Sequence, residues 1–161
     1  MDSGELPATV NIELREITAE TVIAIIKLQV APAQQGFVAP NSVSLAQALF
    51  HPEAWYRAIY VDGEPAGFVM LEDRSGLPDA QAKDREEAGL WRLMVDARYQ
   101  GLGVGRAALR QVIGQLRARG FQRLLTSYVP GPGCPEPFYK RLGFTPTGEV
   151  DGGEVVLALT L

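Results

Sequence analysis

Residues 88–106 run Ala88-Gly89-Leu90-Trp91-Arg92-Leu93-Met94-Val95-Asp96-Ala97-Arg98-Tyr99-Gln100-Gly101-Leu102-Gly103-Val104-Gly105-Arg106, and the fold is decided within them. Ala88 to Val95 is a nearly continuous apolar run, the pattern of a strand lying central in a sheet. Gly101, Gly103 and Gly105 then remove side chains where the chain enters a helix over Gly103–Arg119. That helix is amphipathic, with Ala107, Leu109, Val112, Ile113 and Leu116 apolar and Arg106, Arg110, Arg117 and Arg119 polar. Gly120 stops it. A glycine turn in this position can aim backbone N–H groups at an anion, helped by the positive end of the helix dipole. A diphosphate is the obvious tenant. The spacing alone leaves two alternatives, a phosphate cradle or a plain structural turn. It is not the dinucleotide fingerprint G-x-G-x-x-G, and no Lys-Ser/Thr pair follows as in a P-loop.

Upstream, Asn11 to Glu16 alternates apolar and polar and reads as a strand. Thr18 can cap a helix running through Val22, Ile25, Ile26 and Val30 and ending before Pro32. A loop over Pro32–Pro40 leads to a second, short helix capped by Asn41 or Ser42 and containing Leu45, Ala48, Leu49 and Phe50. Tyr56–Val61 and Pro65–Leu71 are strands joined by Asp62-Gly63-Glu64, a strong hairpin signal. Residues 72–87 form a polar loop. Downstream, Gln122–Val129 is a strand, and residues 130–135 are stiff and turn-rich. Pro137–Leu142 suits a short helix stopped by Gly143. Phe144–Thr147 and Glu154–Leu161 make a closing hairpin. This order, without internal repeat or linker, predicts one mixed α/β domain over residues 1–161.

Composition agrees. A chain of 161 residues fits one domain and can bury a full core. Its 15 Lys and Arg stand against 19 Asp and Glu, for a net charge of −4, and no basic run stands out. A phosphate-backbone binder needs clustered positive charge, so nucleic acid is a poor partner. The acidic balance suits a cationic small molecule, or is simply a value compatible with solubility. Cys134 is the lone cysteine, which excludes an internal disulfide and favours a reducing compartment. The opening MDSGELPATVNIEL lacks the basic and apolar segments of a leader. Val22–Ile26, the longest aliphatic stretch, is far short of the ~20 residues that span a bilayer. A cytoplasmic protein with no membrane partner and no metal is expected.

The run Leu93-Met94-Val95-Asp96, followed by Gln100-Gly101-Leu102-Gly103-Val104-Gly105, resembles the acetyl-CoA signature of the GNAT superfamily, Q/R-x-x-G-x-G/A after a central strand. A second run, Pro137-Phe138-Tyr139-Lys140-Arg141-Leu142-Gly143-Phe144, resembles that family's F-Y-x-x-L-G-F. One helix and one strand separate the two, as in the family. The resemblance implies the GNAT fold: a mixed, mostly antiparallel sheet with splayed central parallel strands and about four helices. It also implies an acetyl-CoA-dependent N-acetyltransferase that transfers directly to a primary amine in a ternary complex. Acetyl-CoA is then a co-substrate, its diphosphate held by the amides of Gln100, Gly101, Leu102, Gly103, Val104, Gly105 and Arg106. Its pantetheine arm would lie between Leu93, Met94 and Val95 on one side and Thr126–Tyr128, including Ser127, on the other. An amide near Met94 would polarise the thioester carbonyl. Tyr139 matches the tyrosine that protonates the leaving thiolate, the alternative being a ring that only packs against the cofactor. One departure stands out: where many members have an asparagine seven residues before that tyrosine, this chain has Pro132, so that contact is expected to be absent or replaced. A covalent route through Cys134 is disfavoured, because no histidine accompanies it and direct transfer needs no nucleophile.

An amine acceptor is protonated near neutrality, with a reference value of about 10.4, and must lose a proton to attack. A nearby carboxylate can take it directly or through water. Glu72, Asp73, Glu86 and Glu87 are the candidates, with Glu72 and Glu87 foremost; the alternative for each is a solvated charged loop. The acceptor wall is expected from the loop after the first helix and the residues that follow it, with Gln35, Phe37, Asn41 and Trp55 joining Glu72 as substrate-binding residues. Gly36-Phe37-Val38-Ala39-Pro40-Asn41, Ser44-Leu45-Ala46-Gln47, Ala54-Trp55 and Leu90-Trp91-Arg92 together resemble the bacterial spermine/spermidine-type members. That implies a polyamine or diamine acceptor, with an aromatic such as Trp55 or Trp91 for cation–π contact. An aminoglycoside, an amino acid, a peptide amine, or a non-catalytic acyl-CoA-binding regulator are the alternatives. His51 reads as the residue before Pro52 at a helix end, Trp91 as core, and Arg92 as a cation needing an acidic partner or a path to solvent. A homodimer suits such a family, although no interface is legible in the sequence.

Overall fold

Asp62 and Gly63 take φ of 47° and 81°, the positive pair that a two-residue type I′ turn requires. They join β2 (Ala54–Val61) to β3 (Glu64–Glu72), so Glu64 belongs to the strand and not to the turn. This hairpin anchors a seven-stranded sheet in the computed structural model, which describes residues 10–161. The expectation of a chain without a leader falls mostly on residues 1–9 and lies outside the described ones. The remaining strands are β1 (Ile12–Arg15), β4 (Glu87–Val95), β5 (Arg123–Tyr128), β6 (Thr145–Asp151) and β7 (Glu154–Thr160). Their order is β1-β2-β3-β4-β5-β7-β6, and every neighbouring pair is antiparallel except β4 and β5. Among the described residues, four α-helices complete the fold: α1 (Val22–Ile26), α2 (Asn41–Ala48), α3 (Val104–Ala118) and α4 (Glu136–Arg141). The GNAT arrangement anticipated from the two motifs is the one observed. Among the described residues, no helix is long and apolar enough to cross a membrane.

Each face of the sheet has its own core. Val104, Ala108, Leu109, Val112, Ile113 and Leu116 turn one side of α3 onto Ile59, Val69, Leu71, Leu124 and Leu157, with Tyr139 and Phe144 from the α4 region. On the other face, Ile25 and Leu28 cover Ala58, Phe68, Met70 and Met94, with Leu45 and Ala48 of α2 at the margin. The helix α3 that follows the glycine turn and the segments expected to form the acceptor wall therefore lie on opposite sides of one sheet.

Most boundaries shift by a residue or two from the sequence expectation, and three elements show why. α1 starts at Val22 and ends at Ile26, well short of Val30, and Thr18 makes no side-chain cap. The chain beyond it is captured by the end of β4: the Gln29 amide donates to Asp96 Oδ2 (3.0 Å), and the Ala97 amide to the Gln29 carbonyl (2.8 Å). α2 stops at Ala48, which leaves Leu49 and Phe50 exposed in a turn. β6 runs on to Asp151, where Gly152 and Gly153 at φ 54° and 85° make the closing turn.

Gly67 shows how closely β3 and β4 are fitted. A Cβ placed there would sit 2.5 Å from the Met94 carbonyl oxygen and 3.2 Å from Ile59 Cδ1. The neighbour is backbone and cannot swing aside. Gly67→Ala is expected to destabilise the protein by about 2–3 kcal/mol, the upper range for overpacking. Thermal or urea unfolding reads this directly, and a midpoint equal to wild type would show that the β3–β4 spacing yields freely.

Candidate active site between the parted strands

β4 and β5 pair over only three positions, Glu87–Arg123, Ala88–Leu124 and Gly89–Leu125. Beyond them β5 continues to Tyr128 alongside β7, while β4 continues to Val95 alongside β3. The cause is a bulge. Met70 faces Arg92 and Leu71 faces Leu90, so Trp91 has no opposite residue on β3. Such an extra residue bends its strand and increases its twist, which carries the second half of β4 away from β5. The strands part into a cleft of 2390 Å³, well above the ~300–1,000 Å³ of an ordinary ligand pocket.

The glycine turn forms one end of this cleft. Gly101 and Gly103 have φ of 76° and 83°, a region costly for residues with a Cβ. Gly105 differs in taking no positive φ, and a Cβ there would make ordinary contact with Val95 Cγ2 at 3.4 Å and Phe138 Cζ at 3.6 Å. The first backbone bond into α3 comes from Ala107 N–H to the Gly103 carbonyl, 3.0 Å. Among the described residues, the amides of Gln100 through Arg106 donate to no carbonyl or side chain. They are the orphan donors of a helix start, in the field of its positive end. Gln100, Gly101, Gly103, Val104, Gly105 and Arg106 line the cleft, with the cationic side chains of Arg110 and Arg141 nearby. Leu102 is exposed and does not line it. The Gln100 side chain turns back, donating to the Val95 carbonyl (2.9 Å) and to Gln34 Oε1 (2.6 Å). It thereby ties the turn to the strand end and to the α1–α2 connection. Asp96 secures the same corner. Burial pushes its carboxyl up, but the Arg98 guanidinium and the amides of Gln29 and Arg98 hold it below the ordinary aspartate value.

Tyr139 lines the cleft from the α3 face, buried, its ring edge-on to Phe138 and Phe144 at 5.3 and 5.4 Å. Burial pushes its phenol up, and a hydrogen bond with Thr126 only partly opposes this. Thr126 is itself buried and donates to the Leu90 carbonyl across the opening (3.5 Å). A phenol in this setting holds its proton through the neutral range, as a proton donor must. Leu93, Met94, Val95 and Ser127 also line the cleft, and the Ser127 hydroxyl donates to Glu154 Oε2 at 3.1 Å. Pro132 is exposed and off the lining, so the family's asparagine has no counterpart there.

On the opposite face, strand alternation places Glu72 with Met70, and Arg92 with Met94. Glu72 lies over Gly89, where a Cβ would be 3.5 Å from Glu72 Cβ and 3.9 Å from its Oε2. Glu72 makes no ion pair with a described residue. The other carboxylates put forward as bases are engaged or misplaced. Glu87 lines the cleft but pairs with Arg123 (2.8 Å) and Lys83 (4.0 Å). Asp73 pairs with Arg119 (2.9 Å), and Glu86 is exposed off the lining. Gln35 and Phe37 are in place, with Phe37 against Gly133 across the opening.

Two expected wall residues are not in the cleft. Asn41 is buried beneath it, neither cap nor substrate contact, because its Nδ2 donates to the Ile25 carbonyl at the end of α1 (2.9 Å). Trp55 faces the α3-side core and lies under the Arg57 guanidinium (4.6 Å), beside a smaller cavity. Trp91, half-buried, does line the cleft; its ring meets that of His51 at 5.3 Å, and His51 pairs with Glu53 (3.0 Å). Sequence reasoning missed the β6–β7 carboxylates Glu149, Asp151 and Glu154, which line the cleft from the far strands. Nothing in their local sequence marks them; only the sheet order brings them here.

With this geometry in view, known proteins are informative. The profile of the acetyltransferase (GNAT) family matches residues 22–144. A spermine/spermidine N(1)-acetyltransferase of Bacillus subtilis is 28% identical over 158 residues, covering 94% of this chain and 99% of that one. A PaiA N-acetyltransferase of Thermoplasma acidophilum, solved in complex with coenzyme A, superposes with a TM-score of 0.67 at 15% identity, over 94% of this chain and 99% of that one. A GNAT family acetyltransferase of Elizabethkingia anophelis, solved with acetyl-CoA bound, gives a TM-score of 0.64 at 14% identity, over 96% and 100% of the chains.

Proposed function

The chain belongs to the acetyltransferase (GNAT) family, whose members transfer acetyl from acetyl-CoA to an amine, and on that premise we propose that its acceptor is a polyamine or diamine and that residues 1–161 act as one catalytic domain. The observation that carries the acceptor class is a set of carboxylates in the cleft that no described cation neutralises. Glu72, Glu149, Asp151 and Glu154 line it without an ion-pair partner among the described residues. Spaced carboxylates of this kind concentrate a polycation and hold its several ammonium groups. The full-length similarity to a polyamine acetyltransferase supports the same class.

In this reading the amides of residues 100–106 take the CoA diphosphate, and the unpaired edges of β4 and β5 take its pantetheine arm. The acceptor nitrogen attacks the acetyl carbonyl carbon from the Glu72 side of the sheet. As the C–N bond forms, the C–S bond breaks, and Tyr139 donates its proton to the departing sulfur. Of the two protons the ammonium nitrogen loses, one passes through Glu72 to solvent and the other balances the one Tyr139 gave. The products are an N-acetylamine and the CoA thiol.

Release of CoA thiol from acetyl-CoA at pH 8, across spermine, spermidine, simple diamines, aminoglycosides and amino acids, tests this. Polyamines and diamines should stimulate release most. Acetyl-CoA binding with no release on any amine would replace the transferase reading with that of an acyl-CoA-binding regulator. Stimulation by aminoglycosides alone would remove the polyamine.

A further inference from the structure

Arg92 is the anomaly on the acceptor face. It lines the cleft just past the Trp91 bulge, and alternation sets it on the same face as Glu72. Its half-buried guanidinium forms no ion pair with a described residue. Nη1 donates to the Trp91 carbonyl (3.1 Å) and Nη2 to Gln47 Oε1 (3.2 Å), both neutral acceptors. Nε is buried with no acceptor among the described residues. The carboxylate whose field reaches it is Glu154, and Ser127 already engages that group. Three of the five guanidinium N–H donors thus remain unused. A cation withdrawn from water without a carboxylate is costly to keep, and a guanidinium is shaped for planar, two-point recognition of one.

Resting on the diamine reading above, we propose that Arg92 is a carboxylate-binding subsite of the acceptor site, so that the acceptors include diamines bearing a carboxylate, that is, diamino acids. Glu72 lies opposite Gly89 and Arg92 opposite Met70, two pairing steps apart, or roughly 7 Å along the strands. A molecule such as ornithine can bridge that separation, its carboxylate on Arg92 and its distal amine toward Glu72. The chemistry of transfer is unchanged; the subsite decides which amine is presented. It also opposes an ammonium group at the bulge, so it sets where along the cleft a polyamine can place its charges.

Ornithine and putrescine differ by this one carboxylate, which makes them the probes. Titration calorimetry on the CoA-loaded protein should show ornithine binding at least tenfold more tightly than putrescine. In Arg92→Gln that ratio should fall about tenfold to a hundredfold, the value of a hydrogen-bonded charge pair. Arg92→Lys, which keeps the charge and loses the fork, should fall between. It also carries the comparison alone if the glutamine variant no longer binds CoA. Equal affinities in the wild type, or a ratio that survives both substitutions, overturns the proposal. Turnover is read separately: intact discrimination without acetylation of either diamine would count against amine transfer and leave the Arg92 subsite standing.

Discussion

Tyr139→Phe is expected to lower kcat by about a hundredfold to ten-thousandfold, the range of general acid catalysis, while the Kd for acetyl-CoA stays close to wild type. The ring is what packs against Phe138 and Phe144, and phenylalanine retains it. The hydroxyl lies by Thr126, and its loss is expected to cost the fold no more than about 1 kcal/mol, the worth of one ordinary hydrogen bond. Because burial raises the phenol and Thr126 only partly offsets it, wild-type Tyr139 stays protonated up to and beyond its usual value. No loss of activity should therefore be traceable to its ionisation between pH 6 and 9, a window lying wholly below the reference value of about 10. The acid role also predicts a leaving-group effect: the variant should recover much of its rate with an acetyl thioester of a more acidic thiol, which departs without a proton. If Tyr139 only packs against the cofactor, turnover is unchanged and no such recovery is seen.

What could be read from the sequence was local. Asp62-Gly63 specifies its turn through two positive φ angles, and the apolar face of α3 follows from helical spacing, so both were legible in residue order. Gly101 and Gly103 were legible as part of a turn, although it needed coordinates to show that these two, and not Gly105, take the positive φ. The cleft was legible only by resemblance. Its physical cause is the bulge at Trp91, and no glycine or proline marks that position; a strand bulges because of what its two neighbours demand. Asn41 shows a tertiary demand overriding a local one. It has the side chain of a helix cap, yet its Nδ2 donates to the Ile25 carbonyl at the end of α1, which also accepts from the Leu28 amide. Trp55 fails for a different reason: the two-residue period of a strand tells that alternate side chains share a face, not which face meets the cleft. Arg92 was legible as a cation needing an acidic partner or a path to solvent, and the structure leaves it half-buried without an ion pair among the described residues.

Glu72→Gln should lower kcat/KM by about a hundredfold at pH 7, a typical contribution of a positioned base, and the deficit should shrink as pH rises. The reason is the acceptor's own titration. An alkylammonium with a reference pKa of about 10.4 is almost wholly protonated at pH 7 and gains free amine tenfold per pH unit. An enzyme without its base depends on that small free fraction, whereas one with Glu72 can bind the ammonium and remove the proton in place. The variant's log rate should therefore climb with a slope near one between pH 7 and 9, and the wild type should climb less steeply. The acceptor end of the cleft offers few substitutes, since Glu87 is held by Arg123 and Lys83, and Asp73 by Arg119 and Ser75. Glu72 lies across the sheet from Tyr139, so acetyl-CoA affinity should be little affected. A deficit that stays constant with pH would make Glu72 an electrostatic anchor for a distal ammonium, and an absent deficit would pass the base role to Glu154 or to water. Either result can be read from one pair of pH profiles, because a base changes the slope of the profile while an anchor changes only its height.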